Sequence, residues 1–112
     1  MDSSETETAY FALLRAREEA QELRSYLEYL HTETQRLRRS SSEAAALVDT
    51  VDRRYRRVLQ PSDQTLTETI TARLALIHDE LQRLPDRIDA ADEFVHVCEE
   101  QYHALKDAPD VS

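Results

Sequence analysis

The chain has 112 residues, enough for one domain, with 23 acidic against 14 basic residues and a net charge of −9. That balance argues against nonspecific binding to nucleic acid or anionic membrane. Glycine and tryptophan are absent and cysteine occurs once, which excludes an internal disulfide and any glycine-rich phosphate loop, and points to few turns.

Residues 1–5 are polar and are expected to fray. Ser4 with Glu7 three residues later has capping-box spacing, so a helix should begin near Thr6. The stretch that follows organises the chain. Alternating steps of three and four from Leu13 give Ala16, Ala20, Leu23, Leu27, Leu30, Thr34, Leu37, Ser41, Ala44, Val48, Val51, Tyr55 and Val58. All but Thr34 and Ser41 are apolar, the heptad seam of a helix lying along another helix.

Ser40-Ser41-Ser42 is a loop signal inside this run. The heptad phase crosses it unbroken, so the expectation is one helix over residues 6–59. A break at Ser40–Ser42, giving a three-helix bundle, is the alternative. Pro61 supplies the clear interruption, because proline cannot donate to the helix and restricts Gln60 before it. A turn is therefore expected over 60–65.

A second seam runs through Thr67, Ile70, Leu74, Ile77, Leu81, Leu84, Ile88, Ala91, Val95, Cys98, Tyr102 and Leu105. It predicts a helix over 66–107, continuous through Pro85, followed by a tail at 109–112. Residues 6–108 then form one all-α domain, a long antiparallel coiled-coil hairpin that completes a bundle by oligomerisation. Folding about 60–65 sets Ser41 opposite Leu84, with a shared kink near Ser41 and Pro85, and Leu105 opposite Ala20. It also sets Arg36 and Arg39 against Asp89 and Asp86.

Two candidate interaction sites follow. Residues before about Glu18 have no partner in that register, yet they are the most apolar in the chain. Tyr10, Phe11, Leu13 and Leu14, with Phe94, Val97 and Tyr102 near the end of the second helix, make an apolar end for a partner helix to cover. Arg53, Arg54, Arg56 and Arg57 surround Tyr55 near the turn and make a basic tip. At the C-terminus of a first helix those cations would be favoured by the helix dipole, with Glu68 nearly opposite Arg57.

Catalytic and metal chemistry is weakly signalled. Glu93 with His96 and Glu100 with His103 have Glu-x-x-His spacing, and Glu28 with His31 could sit at the same height. These pairs flank the seam, and a solvated Glu/His face is the simpler reading. Cys98 on the seam reads as a small buried hydrophobe. No nucleophile-base arrangement is defensible and a rod offers no concave pocket. The expectation is a non-enzyme without metal or cofactor. It would be a scaffold subunit assembling with itself or other helical proteins, or, alternatively, an adaptor or chaperone-like module whose tip docks an acidic protein or nucleic acid. No small-molecule substrate or membrane partner is expected. A single cysteine and no signal peptide suit an intracellular site, cytoplasmic or nuclear. The residues carry no recognisable family motif.

Overall fold

The computed structural model describes residues 3–108. Helix α1 spans Ser3–Thr50 and helix α2 spans Arg53–Lys106. The chain is thus an all-α helical hairpin, with no strand among the described residues. The expected tail at 109–112, and Met1 and Asp2 of the expected frayed terminus, lie outside the described residues.

The serines do not break α1. Ser40, Ser41 and Ser42 are helical, and Ser40 and Ser41 are half-buried on the seam side. The three-helix alternative is therefore set aside. The position of the turn, however, differs from expectation. It falls at Val51-Asp52, and residues 60–65 lie within α2.

The physical reason is local capping. Asp52 is a favoured N-cap type. Its carbonyl accepts from the Tyr55 N–H at 2.8 Å, and its Oδ1 accepts from the Arg54 N–H at 3.3 Å. On the other side of the turn Arg56 donates through Nε to the Val51 carbonyl and through Nη2 to the Asp49 carbonyl, both at 3.1 Å. One side chain thereby satisfies carbonyls left open at the end of α1. The described backbone has no positive-φ residue, so the reversal needs no glycine. Pro61 withholds an N–H from the Arg57 carbonyl, but both residues are exposed and water can reach that carbonyl.

The chain divides into two compact units, Met1–Leu27 with Arg83–Ser112, and Glu28–Gln82. In the first unit Leu13, Ala16 and Cys98 form the buried core, with Val95 and Tyr102 packed against them. Ala20 and Leu84 are also buried there. Arg17 Nη2 lies 3.8 Å from Glu99, and Arg24 Nη2 reaches both oxygens of Asp92 at 2.5 and 2.7 Å. Seven residues forward on α1 match seven back on α2, which is antiparallel pairing in heptad register.

This register corrects the one derived from a turn at 60–65. Ala20 does not face Leu105. Leu13 and Ala16 are paired within the hairpin rather than overhanging it. Ser41 and Leu84, expected to face each other, fall in different units. In the second unit Leu30 and Leu37 of α1 and Ile70 and Ile77 of α2 are buried, again on seam positions.

Candidate interaction surfaces

The Glu28–Gln82 unit holds the one buried charged residue among those described, Glu33, with 7% of its surface exposed. Its carboxylate accepts from Arg36 Nε at 2.9 Å and Nη2 at 2.6 Å. Arg73 of α2 approaches it at 3.5 Å. The hydrogen bonds from Arg36 hold the Glu33 carboxyl below its ordinary value, outweighing the opposite effect of burial, and Arg73 acts in the same direction. Arg36 is correspondingly raised, chiefly by its hydrogen bond to Glu33. So Arg36 serves Glu33 rather than the expected Asp89. Glu33 was not visible as a site residue because it flanks the seam; its only sequence signal is Arg36 three residues on.

The expected apolar end divides. Leu13 is 2% exposed, in the core beneath Ala16 and Cys98, and offers nothing to a partner. Tyr102 is half-buried and stacks on Tyr10 at a centroid distance of 5.4 Å, with Tyr10 in turn 5.9 Å from Phe11. Thr6, Glu7, Tyr10, Phe11 and Tyr102 line an open groove of about 400 Å³. Phe11, 64% exposed, and Leu14 stand on the outer face of α1.

Phe94 and Val97 are exposed as well. Tyr10 follows Ala9, half-buried four residues before Leu13 in the same heptad phase, as Arg17 follows Ala16 on α1 and Glu99 follows Cys98 on α2, and the Arg17–Glu99 pair shows that these flanks meet on one side. Phe94 precedes the seam position Val95, so it lies on the other side. The seven residues expected to form one apolar end are therefore a core residue, a groove with an adjoining outer row, and a separate pair.

The basic tip sits elsewhere than expected. Arg53, Arg54, Arg56 and Arg57 open α2 instead of closing α1. Helix N-termini carry partial positive charge, so here dipole and side chains add rather than offset. No acidic residue lies in that first turn. Arg56 is used as the cap described above. Arg54 Nε is 3.4 Å from Asp52 Oδ2 and its guanidinium lies 4.9 Å from the Tyr55 ring centre. Arg53 and Arg57 have no ion pair or hydrogen-bond partner among the described residues. Glu68 is on the same helix as Arg57 and accepts from Gln64 at 3.2 Å instead.

A feature that the expected turn concealed is the bareness of early α2. From Arg53 to Thr69 only Asp63 is even half-buried. Tyr55, Val58, Leu59 and Leu66 are exposed, Val58 by 74%. Tyr55 and Val58, seam positions of a first helix running to residue 59, are carried onto the other helix by the turn at Val51-Asp52.

On the Glu-x-x-His pairs, the contact formed is His96 Nε2 to Glu100 at 3.1 Å, one turn apart on an exposed face. Among the described residues no group of three His, Cys, Asp or Glu is placed to hold a metal ion. No described helix is long and apolar enough to cross a membrane. No protein-family model, curated protein or solved structure matches this chain.

Proposed function

We propose that the chain is a non-enzymatic interaction subunit that assembles through its outer helical faces, with itself or with other helical proteins. One observation carries this reading. Intrachain pairing consumes the seam, and still leaves Phe11 and Leu14 exposed beside Tyr10. Burying an apolar side chain of that size contributes about 1.5–3 kcal/mol. The test is Phe11→Glu with Leu14→Glu, followed by sedimentation and by circular dichroism. The reading expects at least tenfold weaker association with helicity unchanged. Unaltered association would remove the face from consideration.

A second reading is favoured by Arg53 and Arg57, which are exposed, without an ion pair among the described residues, and on the positive end of α2. In that reading the tip docks an acidic protein surface or a nucleic-acid backbone. Charge-driven docking of this kind weakens steeply with added salt, whereas apolar burial persists. Titration at low and high ionic strength separates the two.

A further inference from the structure

The groove between Tyr10 and Tyr102 lies wholly within one compact unit, the pairing of residues 1–27 with 83–112. Three of its five lining residues are aromatic, Tyr10 and Phe11 from α1 and Tyr102 from α2. The rings are tilted, by 47° between Tyr10 and Tyr102 and by 58° between Tyr10 and Phe11. Tilted rings do not cover each other as a stack would, and the face of each ring carries the negative side of its quadrupole.

Glu7 is the one charged residue of the lining. It stands three residues before Tyr10 and four before Phe11, so the carboxylate and both rings share one side of α1. Glu7 is exposed, and its carboxylate has no ion pair or hydrogen bond among the described residues. Ring faces and carboxylate together favour a cation. An anion would meet Glu7, and a neutral apolar group would leave that carboxylate unmatched.

The surroundings have the same sign. Residues 1–11 and 102–112 hold Asp2, Glu5, Glu7, Asp107 and Asp110 against Lys106 alone, a formal −4. The unit as a whole holds 14 acidic and 6 basic residues, a formal −8 of the chain's −9. Such a field draws cations toward it. The chain's single lysine already makes a contact of this kind. Lys106 Nζ lies 5.9 Å from the centre of the Tyr102 ring, within the range of a cation–π interaction. Lys106 does not line the groove, and Tyr10 and Phe11 remain exposed beside it.

We propose that the groove takes the ammonium group of a lysine side chain from a partner protein. This names the partner chemistry of the interaction-subunit reading and rests on it. The ammonium meets the ring faces and Glu7, and the apolar stem of the lysine lies against the rings. An open groove covers only part of a free amine. A lysine carried on a protein is different, because the partner's apolar surface can cover Phe11 and Leu14 next to the groove.

The probe is a blocked helical peptide of alanine and glutamine with one lysine and with leucines three and four residues after it. It is titrated at low salt into the full isotope-labelled chain, followed by NMR of the aromatic rings. The signals of Tyr10, Phe11 and Tyr102 should move together, while those of Tyr26, Tyr29, Tyr55 and Phe94 stay in place. Norleucine in place of the peptide's lysine keeps the stem and deletes the charge, and should weaken binding about tenfold or more. Glu7→Gln deletes the carboxylate charge, and Phe11→Leu deletes a ring while keeping apolar bulk. Each should weaken the lysine peptide about threefold or more with unchanged circular dichroism. Both positions are exposed, so neither substitution threatens the fold.

Equal binding of the lysine and norleucine peptides overturns the proposal, as does full binding by both variants. If n-butylammonium binds as tightly as the peptide, the groove serves free amines and the partner protein is overturned. If the three rings ignore the peptide while Phe11→Glu with Leu14→Glu still weakens association, the ammonium site falls and the interaction-subunit reading stands. The reverse result keeps the ammonium site and removes the outer face.

Discussion

Glu33 of α1 and Arg73 of α2 meet at 3.5 Å across the hairpin, with Arg36 bonded to the same carboxylate from within α1. The contact ties the two helices at a point where the seam itself offers Thr34 rather than an aliphatic residue. A buried carboxylate is tolerated only when its oxygens are matched by donors, and here two arginines supply them. The pairing of α1 with α2 in this unit therefore has a charged element beside its apolar one.

That element should give the protein a pH dependence on the acid side. The folded-state pKa of Glu33 is lowered from 4.5. Its stabilisation is therefore fully present above 4.5 and is lost as pH falls through the lower native value. Arg36, raised in the folded state, stays charged throughout. Glu33→Gln should be less stable than wild type at neutral pH, and the gap should close in strong acid. Thermal unfolding followed by circular dichroism at a series of pH values measures this directly; a gap independent of pH would mean the carboxylate charge contributes nothing.

The core residues make a sharper stability prediction. Leu84 is 0% exposed and Leu13 is 2% exposed. Either one replaced by alanine should cost about 2–5 kcal/mol, the usual loss for a buried leucine. Phe11→Ala, on the outer face, should stay within about 0.5 kcal/mol in the monomer. Urea unfolding of the three variants would order them. A costly Phe11→Ala would show that the outer row packs inside the fold.

The turn is tested by its caps. Asp52→Ala removes an N-cap and should cost about 0.5–2 kcal/mol. Arg56→Ala removes both bonds to the α1 carbonyls and should increase amide exchange around Asp49–Val51. Hydrogen exchange by mass spectrometry would localise that change, and uniform protection in both variants would place the stabilisation of the turn elsewhere.

Pro61 gives a prediction whose sign distinguishes two architectures. Inside a helix proline costs about 3 kcal/mol relative to alanine. With α2 continuous across it, Pro61→Ala restores an N–H to the Arg57 carbonyl and should stabilise the protein, by up to about that amount. Were residues 60–65 a turn, the same substitution would be neutral or destabilising. Chemical denaturation of the single variant is sufficient to decide.

Much of this fold was legible in the residues. Every seam position from Leu13 to Val51 and from Ile70 to Tyr102 is buried or half-buried, because a strict three-four repeat admits one helical face. The turn was not legible. Pro61 is the loudest breaker in the chain, while the residues that make the turn, Asp52 and Arg56, act through hydrogen bonds to a backbone whose path must first exist. A heptad seam cannot correct such an error, since sliding one helix along the other by seven residues leaves the apolar pattern intact. The misplaced turn moved the register, and with it the apolar end. Leu13, overhanging in the expected register, is core. The tip arginines were identified from their clustering alone, but their place at the start of α2 followed only from the turn.

Cys98 is buried against Leu13 and Ala16, on the face where the two helices meet. A thiol reagent reaches it only when that contact parts. At high reagent concentration the rate of its modification counts the openings of this one unit, and at low concentration it reports the fraction of time the helices stand apart there. The chain carries its own stopwatch for local unfolding, wound by a sulfur atom that needs no label to be introduced.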